Sequence, residues 1–137
     1  MKLCKNAYNR EEVEFTKVET TVGNLYLQRL TREPAGHLTL EEFRPGEDVT
    51  WPFWHDEVHV IISGRAELTV ASPPALKTNE TFLTEAGDAY LIHRGDVIRF
   101  RVMSDEPYRH LCIIMPAIPV PSGDHLLADH IDNIGRY

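Results

Sequence analysis

Apolar and polar residues alternate in short runs along most of this chain, and turn residues close each run after a few positions. Ile98-Arg-Phe-Arg-Val102 shows the pattern most plainly, with Ile98, Phe100 and Val102 on one face and Arg99 and Arg101 on the other. Runs of this kind predict strands near Glu14–Glu19, Asn24–Leu30, His37–Phe43, Glu57–Ile62, Ala66–Ala71, Thr81–Thr84, Ala89–Ile92, Ile98–Met103 and Arg109–Met115. Turns are expected at Arg44-Pro-Gly46, Ser63-Gly64, Ser72-Pro-Pro74, Ala86-Gly-Asp88, Arg94-Gly-Asp96 and Asp105-Glu-Pro107. One helix is predicted, over Asp124–Ile131. No helical pattern falls between the strands, so the pattern predicts an all-β sandwich or barrel and argues against a βαβ fold.

Length and composition narrow this further. At 137 residues and 42% hydrophobic, the chain suits one domain with one core. A net charge of −7 argues against nucleic acid, whose phosphates bind basic surfaces. No apolar stretch approaches the length of a membrane span, and Met1–Arg10 has no apolar segment of the secretory type. Cys4 and Cys112 read as isolated thiols and not as a disulfide framework. The expected setting is the reducing cytoplasm, with no nucleic acid and no membrane as partner.

Two segments carry a more specific signal. Pro45-Gly46 is followed by Glu57-Val-His-Val-Ile-Ile-Ser-Gly64, and later by Gly87-Asp-Ala-Tyr-Leu-Ile-His-Arg-Gly95. These spacings resemble the two sequence motifs of the cupins, over roughly residues 37 to 116. The resemblance implies a single-domain jelly-roll β-barrel, and the short C-terminal helix read from the pattern falls in the tail 117–137. It also implies N-terminal strands within 1–36 that exchange in a homodimer. Glu57 before an apolar strand, Tyr90 after Gly87, the closing run Leu111-Cys-Ile-Ile-Met-Pro116 and the final Gly135-Arg-Tyr137 are similar to ectoine-synthase-type cupins.

The departures bear on chemistry. Many cupins hold one divalent metal with two histidines and a glutamate in the first motif and a histidine in the second. Here Thr50-Trp-Pro-Phe-Trp54 contains no histidine, and Ile98 stands at the histidine place of the second motif. Of the usual set Glu57 remains.

Other residues offer replacements. Side chains two apart on a strand share a face about 7 Å apart, so His55 and His59 point where Glu57 points. Pairing Ile98–Met103 with Arg109–Met115 around Pro107 as a hairpin sets His110 close to Ile98. The expected metal set is therefore Glu57, His59 and His110, with His55 and His93 as alternates and Tyr90 as ligand or acid. A carboxylate and imidazoles suit Fe, Zn, Mn or Ni without choosing among them. Each residue also has a structural reading. His59 and His110 can be hydrogen-bonded core residues, His93 a turn residue, Tyr90 a barrel aromatic and Cys112 a small core hydrophobe. His125 and His130 are expected in solvent.

Two functions follow. In one, Glu57 and Tyr90 pass protons in a divalent-metal-dependent lyase or isomerase acting on a small polar metabolite, with a dioxygenase as a further alternative. In the other, the barrel holds no metal and binds a small apolar ligand. Trp51, Phe53, Ile61, Ile98, Phe100 and Cys112 are the expected pocket lining. Trp51, Phe53 and Trp54 can equally cover a dimer contact.

Overall fold

The computed structural model describes residues 14–21, 23–33 and 36–115, with the side chains of 32, 33 and 77–79 left aside. The helix expected over Asp124–Ile131 lies outside the described residues, as do Cys4, His125 and His130.

Ten strands form two antiparallel sheets. They are β1 (Thr16–Thr20), β2 (Gly23–Glu33), β3 (Gly36–Phe43), β4 (Asp48–Pro52), β5 (Asp56–Ser63), β6 (Arg65–Ser72), β7 (Lys77–Glu85), β8 (Ala89–Ile92), β9 (Val97–Val102) and β10 (Tyr108–Met115). The larger sheet runs β1-β2-β3-β10-β5-β8 and the smaller β4-β9-β6-β7. This is a jelly roll, with the core between the sheets.

The nine strands read from the alternation are all present, and a tenth is added. β4 escapes sequence reading because Trp51-Pro52-Phe53 puts a proline in a run that otherwise suits a strand. The proline is tolerated because β4 is an edge strand, paired only with β9, where a missing N–H breaks no ladder.

Strand parity sorts the core. On β9, Ile98, Phe100 and Val102 are buried while Arg99 and Arg101 face solvent and pair with Asp48 and Glu67. Those exposed ion pairs contribute about 0–1 kcal/mol each. Burying a side chain such as Phe100 or Leu68 contributes about 1.5–3 kcal/mol, so the apolar face holds the fold.

One sequence inference fails. β9 and β10 do not form a hairpin; β9 belongs to the smaller sheet and β10 to the larger. The segment through Pro107 crosses between the sheets and leaves no room beside Gly64. A Cβ there would sit 2.5 Å from the Pro107 carbonyl oxygen, and Gly64 has φ +76. That crossing accounts for the glycine that ends the first motif.

Candidate metal centre

The register of the larger sheet builds the site. Thr39 on β3 lies opposite Cys112 on β10, Cys112 opposite His59 on β5, and His59 opposite Tyr90 on β8. One rung therefore carries four polar side chains across four strands. Glu57 is two residues from His59 on the same inward face, and His110 is two residues from Cys112.

These groups meet. Glu57 Oε2 lies 3.3 Å from His59 Nε2 and accepts a hydrogen bond from Cys112 Sγ at 3.2 Å. The donor atoms of Glu57, His59 and Cys112 all fall within 4.8 Å of one another, and all three residues are buried. Among the described residues this is the group of such donors that could hold an ion.

His110 reaches the same wall by another route than the hairpin that sequence suggested. It lies opposite Ile61 on β5 and Glu41 on β3. Its ring stacks on that of His59 with centroids 4.2 Å apart. Its Nε2 is 3.4 Å from Glu41 Oε2, yet neither ring nitrogen makes a hydrogen bond within the structure, although the residue is fully buried. Buried imidazole nitrogens are rarely left unmet.

The remaining expected residues spread around this centre. His55 is buried and lines the cavity at the site. His93 is exposed at a turn, 3.9 Å from Asp56 Oδ1 and apart from the cluster. Trp51 and Phe53 line the same cavity as Glu57 and His59. Ile61 and Phe100 are packed in the core, and Ile98 faces a second cavity instead. Glu41 and Tyr108 join the polar wall without standing out in the sequence. Their inward parity on β3 and β10 is the available signal.

A chain of hydroxyls leads away from His59. Its Nδ1 is 3.2 Å from Tyr90 OH, which is 3.1 Å from Tyr108 OH, which is 2.7 Å from Thr84 Oγ1. Thr84 Oγ1 donates to the Ala66 carbonyl at 3.4 Å, an acceptor with no hydrogen to give. Thr84 therefore accepts from Tyr108, Tyr108 from Tyr90, and Tyr90 from His59 Nδ1–H. His59 is left with an Nε2 lone pair facing Glu57.

The electrostatics agree with that tautomer. Burial, with the nearby Glu41 charge, pushes the Glu57 carboxyl up to about 8, against the opposing hydrogen bond from Cys112. A protonated Glu57 donates to the His59 lone pair. Burial, and then His110 beside it, drives His59 well below the ordinary imidazole range. Burial and the Glu57 and Glu41 carboxylates push the Cys112 thiol well up. Burial raises Tyr90 far above the ordinary phenol range and Tyr108 to about 12. For Glu41, burial is outweighed by His110, His59 and the Thr39 hydroxyl, and the carboxyl is lowered.

The facing wall is hydrocarbon. Phe53 meets His59 edge-on at 5.9 Å between centroids, and Phe100 stacks at 6.4 Å. The cavity above Glu57 and His59 holds about 80 Å³, and Arg29, His37 and Trp54 also line it.

This architecture has relatives. The cupin domain of Schizosaccharomyces pombe Cnp3 superposes with a TM-score of 0.57 at 20% identity, over 67% of this chain and 61% of that one. The fold is a cupin barrel. The Clostridium difficile EutQ protein gives 0.60 at 17% identity, covering 78% of this chain and 83% of its own. Bacillus subtilis oxalate decarboxylase, a protein with Mn(II) centres, gives 0.56 at 24% identity over 76% of this chain. This chain spans 61% of the Cnp3 domain and 28% of the decarboxylase. No family model and no curated protein sequence matches the chain. The likeness is therefore one of fold. Within this barrel Trp51, Phe53 and Phe100 form an apolar wall, and the donors Glu57, His59 and Cys112 lie on the larger sheet.

Proposed function

We propose that this cupin barrel binds a small organic metabolite and one divalent metal, and carries out lyase or isomerase chemistry. The observation that carries the reading is the convergence of Glu57, His59 and Cys112 within 4.8 Å in a buried site. The donor chemistry fits a metal. A carboxylate, a thiolate and an imidazole whose Nε2 lone pair points into the group suit Zn or Fe better than Mg or Ca. Tyr90 supports the fit, because it holds His59 Nδ1–H and so leaves Nε2 for coordination.

A bound divalent metal would supply Lewis acidity toward a carbonyl or carboxylate oxygen of the metabolite. The chain's own groups do the rest. Glu57, with Glu41 and His55, is a proton-carrying group that lines the cavity. Tyr90 stands behind His59 and reaches the site only through it, and Phe53 and Phe100 exclude water from that wall. A cavity of about 80 Å³ admits only a few heavy atoms of substrate.

The test is metal analysis of untagged protein after reconstitution with Zn(II), Fe(II) or Mn(II). One equivalent is expected, falling in His59→Ala and Cys112→Ala. A sub-stoichiometric content in every case would overturn the metal reading. A second reading, a metal-free binding protein, is favoured by one observation. Glu57 Oε2 already satisfies both Cys112 and His59, so the donors are content without an ion.

The outer face of the larger sheet supports a homodimer. Val58, Val60, Leu111 and Ile113 face outward there and are only half-buried. Light scattering at twice the protomer mass, reduced to one in Val60→Lys, is the expected result.

A further inference from the structure

The barrel has two open seams. The cavity above Glu57 lies where β4 faces β2 and β3. A second and larger cavity, of about 420 Å³, lies on the opposite side, where the edge strands β7 and β8 face each other. Its size falls within the range of about 300–1,000 Å³ usual for small-molecule sites. Neither function drawn from the first cavity makes use of it.

Its lining has two parts. The floor is apolar, built from Leu68, Val70, Ile92 and Ile98, and the apolar surface continues outward onto Phe82, Leu83 and Leu91. Those last three are 46%, 69% and 53% exposed, an unusual cluster of large hydrophobics at one rim. The polar part carries one sign of charge. Glu80, Asp88 and Asp96 line the cavity, and among the described residues no lysine or arginine does; His93 is the basic group present.

Two of the carboxylates are held firmly. Asp96 accepts from the Ser72 hydroxyl at 2.6 Å and from the His93 amide at 3.0 Å. Asp88 accepts from the Glu85 amide at 2.9 Å. Asp96 is buried and Asp88 stands at the exposed rim, so the carboxylates run from the wall to the mouth of the cavity, an arrangement that concentrates cations. The geometry points to a second ligand site in the β7–β8 seam, which takes a small amphipathic amine with its ring on Leu68, Val70 and Ile98 and its ammonium toward the carboxylates.

Tyr90 forms part of the partition. It lines this cavity, and its hydroxyl meets His59, which lines the first. The chain's two tryptophans, Trp51 and Trp54, both line the first cavity and neither lines the second. Tryptophan emission therefore reports which seam a ligand enters.

The experiment titrates the full chain with 2-phenylethylamine, 2-phenylethanol and phenylacetate by calorimetry at low salt, following tryptophan emission in parallel. The amine is expected to bind about tenfold or more tightly than the carboxylate, with the alcohol between and emission unchanged. Val70→Trp should abolish binding by filling the floor. Leu83→Arg, at an exposed position that does not threaten folding, should weaken the amine about fivefold or more by placing a cation at the rim. The proposal is overturned by phenylacetate binding as tightly as the amine, by emission changing on amine binding, by unchanged affinity in Leu83→Arg, or by no amine binding at up to about 10 mM.

Discussion

Cys112 Sγ lies 3.2 Å from Glu57 Oε2, from a residue 55 positions away and on the neighbouring strand. Both groups are protonated at neutral pH, because burial lifts the carboxyl to about 8 and the thiol well above its ordinary range. A metal that takes this pair must displace both protons. Apparent affinity for Zn(II) should therefore rise with pH, by up to about two log units per pH unit below about 8. Proton release measured in weakly buffered solution should approach two per metal. Cys112→Ser should lower affinity by more than about tenfold and reduce the release to one.

The same carboxyl sets a stability profile in metal-free protein. Its folded pKa, about 8, lies above the ordinary 4.5. Between those values the unfolded chain has lost the Glu57 proton and the folded chain keeps it, so stability falls as pH rises across that window. Below 4.5 the cost is absent, and above about 8 it is complete. Its full size is of order a few kcal/mol. His59, held below the ordinary 6.5, opposes this fall at lower pH. The test is therefore the difference in stability between wild type and Glu57→Gln in chemical denaturation, which should shrink as pH rises from about 5 to 8. A difference that stays level over that range would refute the assignment.

Phe53 sits edge-on to His59, with ring centroids 5.9 Å apart. Phe53→His places an imidazole beside the donor group. It should raise Zn(II) affinity by about tenfold or more, adding a nitrogen ligand. It should also cost roughly 2–3 kcal/mol, since a buried ring is lost and a polar one takes its place. Calorimetry gives the first quantity and urea denaturation the second.

The hydroxyl chain predicts a spectroscopic result. Removing the Thr84 hydroxyl with Thr84→Val takes away the acceptor of Tyr108, which frees Tyr108 and Tyr90 to turn toward His59. In ring ¹⁵N spectra of metal-free protein, His59 should show Nδ1–H in the wild type and a tautomer mixture in the variant. An Nε2–H signal in the wild type would reverse the assigned polarity.

Much of the barrel is legible in the amino-acid sequence alone. Alternation places nine strands, and parity aligns Glu57 with His59. Which strands are neighbours cannot be read that way. A β9–β10 hairpin would bring His110 inside, and the alternation suggests one. His110 is inside because β10 lies between β3 and β5, and no local pattern encodes that neighbourhood. The same long-range pairing sets Cys112 opposite His59, which makes a residue with the look of a core hydrophobe into a member of the donor group. β4 is hidden by a single proline whose tolerance depends on its being at an edge.

The two walls of the barrel differ in what they hold, with Glu57, His59, Cys112 and Tyr90 all on one sheet and Phe53 and Phe100 facing His59 from beside or within the other. Reactivity and shape are thereby inherited separately. Exchange of one hydrocarbon for another along β4 and β9 would remodel what fits while leaving the reacting groups in register. A library confined to those positions should change ligand preference and preserve metal content. In that sense the barrel has one wall that reacts and one that is free to vary.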